Sequence, residues 1–462
     1  PELFRRDLTD AFAFLEGAPE TLPDRPASGR NIGFEATTDV PRGTYALTGA
    51  RVVTMNGDEV LEPGTVIVVD NRIAAVGPAD EVDVPEGAEL LDLAGKTVIP
   101  GLVDVHWHGA QGTAEITPER NWVNDASLAF GVTTLHDPSN DTSTIFAAAE
   151  MARAGRIVAP RIYSTGTILY GASGHFKAEI DGLDDARFHL KRMQAVGAIT
   201  VKSYNQPRRD QRQQVIAAAK ELGMMVVPEG GSMFQHNMSM IVDGHTGVEH
   251  AVPVERMYDD VLQLWAGSRT GYTPTLTVGY GGIWGERYWY QHTDVSNHER
   301  LLNFVPYTFV DPVARRPTMA PEREYNHVRI AENCAALSDR GVLVNLGAHG
   351  QREGLGSHWE LWMLAQGGMP PLDVLRAGTL NGARYLGLDG DLGSIEPGKL
   401  ADLAILDRNP LEDIRNTDSV SAVLLNGRLY DAATLNEIGL HPRTRDPLYF
   451  QERQRSLLEG RD

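Results

Sequence analysis

Two histidines separated by one residue follow an apolar run near the end of the first quarter of the chain. His106-Trp107-His108 comes directly after residues 97–105, whose composition predicts a buried strand. Residues two apart on a strand point to the same side, so we expect both imidazoles to project from one strand end. Neutral imidazole is a favoured ligand of zinc and related ions. The pair therefore indicates a divalent-metal site, although a bare His-x-His also occurs by chance.

Strand-like stretches alternate with helical patterns through the middle of the chain. The eight candidate strands are at 98–105, 132–136, 161–165, 199–204, 224–228, 247–252, 271–276 and 343–346. Helical patterns lie between most of them, at 143–155, 184–196, 210–222 and 324–339. This alternation predicts an α/β fold, a (β/α)₈ TIM barrel, whose active site lies at the carboxyl ends of its strands.

Polar residues stand at several of these predicted strand ends. Besides the two histidines after the first strand, these residues are His136 and Asp137 on the second strand, Lys202 on the fourth, Glu229 on the fifth, His250 on the sixth and His349 on the eighth. Each one alone has an ordinary explanation, since a buried lysine usually pairs with an acid and a lone histidine usually belongs to the core. Together they favour a metal-dependent active site.

Short β-like segments flank the barrel pattern on both sides. We expect residues 44–100 and 387–435 to form one β-sandwich satellite domain next to a barrel at 101–386. Residues 1–43 are expected to be a linker or the tail of an upstream domain, and 436–462 a C-terminal tail. The chain starts at a proline rather than a methionine, so we expect the native N-terminus to be missing.

Composition restricts the partners of this 462-residue chain. Its formal net charge of −20 disfavours nucleic acid and anionic membranes, because both repel an acidic surface. A single cysteine, Cys334, excludes an intrachain disulfide and a cysteine-based metal cluster. No stretch resembles a membrane span or a secretion signal. We expect a soluble protein, a homo-oligomer that acts on a small-molecule or short peptide-like substrate, with cytoplasmic and exported locations both open.

Four stretches resemble the amidohydrolase superfamily, and the resemblance extends over about residues 45–430. They are residues 99–108, 131–134, 379–384 and 393–403, of which the last (Gly-Ser-Ile-Glu-Pro-Gly-Lys-Leu-Ala-Asp-Leu) is highly specific. The spacing of His106, Lys202 and His250 is similar to that of the imidazolonepropionase and prolidase-like branch. Residues 228–231 and 243–250 resemble a subgroup often fused behind a TolB-like β-propeller, which implies contact with an upstream propeller domain.

The resemblance implies a metal-dependent hydrolase. Metal-dependent members hydrolyse amides, esters, lactams or phosphoesters, or deaminate bases. In binuclear members the lysine at the position of Lys202 carries a CO₂-derived carbamate (carboxylysine) that bridges two ions. The branch normally has histidine where this chain has Glu229, and aspartate where it has His349. Because one carboxylate arrives as another leaves, the ligand charge is unchanged, and we expect a binuclear metal centre with redistributed ligands.

We expect this set of residues to divide between two ions. His106, His108 and His349 would hold one ion, Glu229 and His250 the other, and modified Lys202 would bridge them. Zinc and manganese both suit such ligands. The ion pair would generate a hydroxide that attacks an amide, peptide-like or cyclic-amide C–N bond. The proton shuttle is expected to be His349, with Asp137 and Glu229 in reserve, although a loop histidine without a catalytic role explains His349 equally well.

Substrate contacts are expected from side chains on the same face of the barrel. His175 follows the third strand, and Tyr204 lies two residues after the strand-four lysine. Tyr280 and Trp284 belong to an aromatic-rich insertion after the seventh strand, where loops face the active site. These rings would form an apolar wall for substrate. They would equally suit docking of a propeller or a second subunit, and Tyr204 would equally suit packing at the barrel rim.

Two alternatives to a binuclear hydrolase stay open. The first is a mononuclear aminohydrolase that deaminates its substrate; such members usually lack the strand-four lysine, so Lys202 disfavours it. The second is a non-catalytic barrel that acts as a binding or assembly module, in which Glu229 and His349 would mark decay of the site. The joint presence of the other predicted ligands argues against decay.

Overall fold

The structure is a computed structural model, and it describes residues 2–5, 16–17, 24, 26–113, 116–171, 174, 177–204, 206 and 208–459. The chain divides into two units, residues 1–39 and 40–462. In the first unit a short antiparallel pair joins Glu2–Leu3 to Arg30–Asn31. All other elements belong to the second unit.

The strands and helices of the described residues are numbered in chain order. The strands are β1 Glu2–Leu3, β2 Arg30–Asn31, β3 Thr44–Val53, β4 Val60–Val69, β5 Arg72–Pro78, β6 Glu89–Asp92, β7 Thr97–Pro100, β8 Leu102–Asp104, β9 Val132–Asp137, β10 Arg161–Ser164, β11 Ile168–Tyr170, β12 Lys177–Glu179, β13 Thr200–Ser203, β14 Met225–Pro228, β15 Gly247–Glu249, β16 Gly271–Thr273, β17 Leu403–Leu406, β18 Val420–Leu425, β19 Arg428–Asp431 and β20 Glu437–Ile438. The helices are α1 Trp122–Ala129, α2 Thr142–Arg153, α3 Leu183–Ala195, α4 Arg209–Leu222, α5 Phe234–Asp243, α6 Asp259–Ser268, α7 Gly285–His292, α8 Glu299–Phe304, α9 Tyr307–Ala314, α10 His327–Ser338, α11 Leu355–Gln366, α12 Pro371–Gly378, α13 Leu380–Tyr385 and α14 Gln451–Glu459.

A nine-stranded sheet brings the two flanks of the chain together. Its order is β20-β19-β18-β17-β7-β3-β4-β5, with β6 also paired to β3. Strands of the two flanks pair at β7–β17, an antiparallel pair in which Val98 lies opposite Ile405, and a single antiparallel bridge joins Arg72 to Leu400. Val98 and Ile405 are buried in one apolar cluster with Leu47 and Leu424. Burial of this shared core stabilises the association of segments about 300 residues apart in the chain.

Parallel strands surround the site that is described below. They pair in the orders β8-β9-β10, β12-β11-β13-β14 and β15-β16. Single parallel bridges, Glu229 with Glu249 and Tyr272 with Val344, extend this pairing from β14 to β15 and from β16 to residue 344. The N–H of Val105 then donates to the carbonyl of Leu346 at 3.0 Å, back at the first strand. No strand pairing among the described residues joins β10 to β13, so the ring of strands is open there.

Four predicted strands differ from the structure: those at 247–252 and 271–276 shorten to the three residues of β15 and β16, and two others differ more. The stretch at 98–105 is divided, because β7 joins the nine-stranded sheet and β8 the parallel strands. Gly101 makes the transition; a Cβ there would lie 2.1 Å from Thr133 Oγ1, so the close approach requires glycine. The stretch at 343–346 contributes only the bridge at Val344. The next N–H groups bond in different directions, Asn345 to the carbonyl of Tyr272 and Leu346 to that of Ala377.

The four predicted helices are confirmed as α2, α3, α4 and α10, with ends that differ by up to three residues. Helix α2 begins after Asp141, whose Oδ1 accepts the N–H of Thr144 at 3.0 Å and satisfies one of the free donors of the first turn. In the described part of the chain, no helix has the length and apolar character needed to cross a bilayer.

A buried ion pair connects the parallel strands to the nine-stranded sheet. Arg161 on β10 donates from Nε and from one Nη to the carboxylate of Asp402, at 2.6 and 3.1 Å. The N–H of Asn426 donates to the same carboxylate at 2.7 Å. The Asp402 side chain is only 3% exposed. Loss of the guanidinium would leave a buried carboxylate without its counter-charge.

We predict that Arg161→Met lowers the free energy of unfolding by about 3 kcal/mol, because removal of one partner of a buried pair leaves an uncompensated charge. Urea unfolding measures this change. The double variant Arg161→Met/Asp402→Asn should recover much of the loss, and Arg187→Met, at an exposed pair with Glu221, serves as the control. Equal stability of the Arg161 and Arg187 variants would contradict the connecting role.

Candidate metal centre

Four of the predicted ligands converge at the carboxyl ends of the parallel strands. His106 and His108 follow β8, His250 follows β15 and His349 follows the bridge at residue 344. The ring centroids of His106 and His250 are 4.8 Å apart, and those of His108 and His349 are 4.7 Å apart. One ring nitrogen from each of His106, His108 and His349 lies within 4.8 Å of the others. This separation suits three ligands of a single ion.

Three of the imidazoles are held through Nδ1. The contacts are His106 Nδ1 to Glu249 Oε2 at 2.5 Å, His108 Nδ1 to Asp137 Oδ1 at 2.9 Å, and His250 Nδ1 to Thr275 Oγ1 at 2.8 Å. A proton on Nδ1 satisfies each contact and leaves the lone pair on Nε2. Metal-binding histidines are commonly oriented in this way.

The buried Nε2 atoms show that the residues present fit a metal ion. Nε2 of His106 is buried and has no hydrogen-bond partner among the described residues. Nε2 of His250 lies 2.8 Å from Glu229 Oε1, but the two atoms are not aligned for a hydrogen bond. Unpaired buried nitrogens are costly unless another group binds them. A divalent cation would satisfy these atoms.

Burial keeps His106 and His349 neutral and therefore able to bind a cation. Burial, with Lys202 and the neighbouring histidines, holds the pKa of His106 well below its usual range. Burial, with His108 and His250, lowers the pKa of His349 to about 2. A metal ion displaces a proton only from a charged histidine. His106 and His349 are neutral at neutral pH, so metal binding there releases no proton from these two rings.

Lys202 and Glu229 form an ion pair beside the histidines. Lys202 is 1% exposed, and its Nζ lies 2.5 Å from Glu229 Oε2. Burial opposes ionisation of Glu229, but Lys202 and His250 outweigh burial and hold the pKa of its carboxyl well below its usual range. The predicted strand-four and strand-five residues therefore lie together with His250.

The two residues at the end of β9 have different surroundings. Asp137 is buried and accepts the His108 contact, the N–H of Ser139 at 3.0 Å and the amide of Asn140 at 2.6 Å. His136 points away from the cluster: Nδ1 lies 2.9 Å from the carbonyl of Val105 and Nε2 lies 2.7 Å from the hydroxyl of a threonine on β13. Burial lowers the pKa of His136 to about 4. The position of Asp137 orients His108.

Asp104 and Glu249 are two further carboxyl groups that the sequence analysis did not select. Asp104 accepts the N–H of His106 and of Ala348, each at 3.2 Å, and the hydroxyl of Ser357 at 3.0 Å. Burial raises its pKa to about 6. Glu249 accepts the Tyr385 hydroxyl at 2.8 Å, and burial, opposed by Lys202, raises its pKa to about 8. A cation at the imidazoles would favour the ionised form of Glu249.

The loop that carries His349 packs directly on the His106–His108 backbone. The N–H of His349 donates to the carbonyl of His106 at 2.7 Å, and His349 has a φ of +61°. A Cβ on Gly350 would lie 2.0 Å from the carbonyl oxygen of His108, and one on Gly347 would lie 2.4 Å from Thr273 Cγ2. These glycines permit the close approach that brings His349 into the cluster.

The predicted substrate-binding residues have different positions. The Tyr280 ring lies 5.7 Å from the His250 ring, and burial, with Glu229, raises the pKa of Tyr280 to about 12. Tyr204 is half-buried, and its pKa is raised by burial and then by Glu229. Trp284 is 47% exposed at the start of α7 and, in the described residues, has no ring contact with the histidines. His175 lies outside the described residues.

Comparison with known proteins identifies the family. A sequence model of the Amidohydrolase family matches residues 97–430, and the chain belongs to that family. It is 25% identical over 404 residues to a 5-methylthioadenosine/S-adenosylhomocysteine deaminase of Syntrophobacter fumaroxidans, covering 79% of this chain and 85% of that protein. It is 24% identical over 412 residues to an imidazolonepropionase of Sphingopyxis alaskensis, and the match covers 78% of this chain and 91% of that protein.

A solved structure with the same fold is that of a prolidase complexed with N-methylphosphonate-L-proline. The TM-score is 0.65 at 21% identity, covering 84% of this chain and 99% of that one. Family membership and the convergent histidines together define the chain as a metal-dependent amidohydrolase that acts on carbon–nitrogen bonds. The predicted superfamily is confirmed.

We predict that Asp137→Asn weakens metal binding about 10- to 100-fold, because the carboxylate that orients His108 loses its charge. Competition with a chelator of known affinity measures the dissociation constant. Asp141→Asn, at the N-cap of α2, is the matched control. Unchanged metal affinity combined with lost activity would contradict the orienting role and would assign proton transfer to Asp137.

Proposed function

We propose that the chain hydrolyses the amide bond of a peptide-like or cyclic-amide substrate at a centre of two divalent ions, zinc or manganese. The observation that carries this proposal is the convergence of four imidazoles with Glu229 and Lys202 at one end of the parallel strands. Bound ions would lower the pKa of a water molecule and polarise the scissile carbonyl.

The proposed ligand sets follow the distances in the structure. His106, His108 and His349 would hold the first ion, since their nitrogens lie within 4.8 Å of one another. Glu229 and His250, whose Oε1 and Nε2 are 2.8 Å apart, would hold the second. A carbamate on Lys202 would bridge the ions. The Lys202 ammonium neutralises Glu229 in the structure. When the lysine becomes an anionic carbamate, the second cation would have to neutralise Glu229 instead.

The remaining side chains position and protonate the reacting groups. Asp137 and Glu249 fix the rings of His108 and His106 through their Nδ1 atoms. The very low pKa of His349 makes that ring a poor base, so a ligand role suits it better than the expected shuttle. Glu229 would then transfer the proton to the leaving nitrogen through the oxygen that does not bind an ion. Asp137 already accepts three hydrogen bonds, one of them from His108, so an orienting role suits it better than proton transfer.

The proposed domain organisation places this centre in a closed barrel. Residues 101–386 would form the (β/α)₈ barrel, and 44–100 with 387–435 the β-sandwich satellite, with a linker at 1–43 and a tail at 436–462. The parallel pairs, the two single bridges and the likeness to a solved prolidase support this arrangement. Closure would require pairing between β10 and β13; nearby, the side chains of His136 on β9 and Thr200 on β13 already meet.

We predict that Lys202→Ala abolishes hydrolysis of dipeptides and N-acyl amino acids and lowers the metal content from about two ions to about one per chain, because the bridge is lost. Elemental mass spectrometry and product release measure the two effects. Lys220→Ala, at an exposed lysine on α4, is the control. Full activity of the Lys202 variant would contradict the bridging role.

A second candidate function is deamination by a mononuclear centre. The observation that favours it is the Lys202–Glu229 ion pair, which occupies the position of the proposed second ion. The curated relative from Syntrophobacter fumaroxidans is a deaminase. Release of ammonia from adenine nucleosides at about one ion per chain, without hydrolysis of dipeptides, would replace the binuclear proposal with this one.

A further inference from the structure

Lys177 is held between two tyrosine rings next to the proposed metal centre. Its Nζ lies 4.7 Å from the centroid of the Tyr170 ring and 4.6 Å from that of the Tyr204 ring. The two rings meet edge to face with centroids 5.5 Å apart. A cation over two aromatic faces is attracted by both rings, which restrict its position without neutralising its charge.

The backbone explains why this ammonium group and the centre are close. Lys177 on β12 is paired with Ile168 on β11, and Leu169 on β11 is paired with Ser203 on β13. The N–H of Tyr204 also donates to the carbonyl of Leu169 at 2.8 Å. Lys177 is therefore two strands away from the strand that carries the proposed bridging lysine.

Tyrosines extend from the centre towards Lys177. The Tyr280 ring contacts the His250 ring, and Glu229 acts electrostatically on both Tyr280 and Tyr204. Tyr204 in turn lies under the Lys177 ammonium. A molecule bound to the histidines would meet tyrosine side chains along this direction and then a positive charge.

The charge of Lys177 has no acidic partner in the described part of the chain. No carboxylate of a described residue lies within 4.0 Å of its Nζ, and the half-buried ammonium donates no hydrogen bond there. The chain has a formal net charge of −20, so acidic side chains are abundant. A restrained cation without a counter-ion is suited to bind an anionic group of a ligand.

We propose that Lys177 binds the free carboxylate of the substrate, so that the enzyme acts on amides whose amine portion is an amino acid. This inference rests on the proposed amide hydrolysis and adds a substrate class to it. The amide would lie at the histidines, the side chain of the amino acid against Tyr280 and Tyr204, and the carboxylate at the Lys177 ammonium. Dipeptides and N-acyl amino acids with a free carboxylate satisfy all three contacts.

The test compares free acids with matched carboxamides. We expect the metal-loaded wild-type enzyme to prefer dipeptides to dipeptide amides. Lys177→Met should lower kcat/KM for the free acids about 10- to 100-fold, mainly through KM, because a charge-assisted hydrogen bond is lost. It should leave kcat/KM for the amides unchanged, and Lys177→Arg should retain the preference for acids. Lys191→Met, at an exposed lysine on α3, is the control.

If Lys177→Met loses kcat/KM equally for free acids and amides, or for neither, the role of Lys177 is overturned while amide hydrolysis still stands. If the wild-type enzyme hydrolyses neither, amide hydrolysis fails, and calorimetry with N-methylphosphonate-L-proline and its carboxamide decides the inference separately. Weaker binding of the free acid alone to Lys177→Met would support it. Equal binding of the free acid to both proteins would overturn it.

Discussion

Four imidazole rings in one buried volume impose the constraint on which the rest of the site depends. Two of them, His106 and His349, are held neutral, because burial and the neighbouring histidines keep the pKa of each ring low. Neutral rings have one nitrogen that donates and one that accepts. Three rings use Nδ1 for an oxygen partner, which leaves Nε2 available, and Nε2 of His106 is buried without a hydrogen-bond partner among the described residues. Lone pairs held in this way attract a cation.

The surrounding fold is built to hold these lone pairs in place. Asp104 accepts the N–H of Ala348 in the loop of His349 and the hydroxyl of Ser357 on α11, and it also accepts the N–H of His106 at its own strand end. Gly347 and Gly350 allow that loop to contact the first strand directly. The nine-stranded sheet fixes the other end of the same segment, since β7 and β8 are separated only by Gly101. A change of register at this residue would displace both His106 and His108.

Much of the site was predictable because its signals are local in the sequence. An apolar run followed by His-x-His identifies a strand end, Glu229 and His250 each follow a short β-like stretch, and Lys202 lies within one. The roles of Asp104 and Glu249 were not predictable, because their partners lie up to 253 residues away in the chain. The same holds for Glu360, which accepts the N–H groups of Leu276 and Thr277 and has the sequence context of an ordinary helical glutamate. The predicted eighth strand at 343–346 is not a regular strand, because its successive N–H groups donate to neighbours on different sides.

The most direct measurement of the central claim is the metal content of the wild-type chain, purified without chelator and supplied with zinc or manganese and bicarbonate. Elemental mass spectrometry would give the number of ions, and anomalous diffraction from crystals would give their positions. We expect about two ions per chain, one at His106, His108 and His349 and one at Glu229 and His250. A chain that binds no ion under these conditions would contradict the central claim, since the buried Nε2 atoms would then have another purpose.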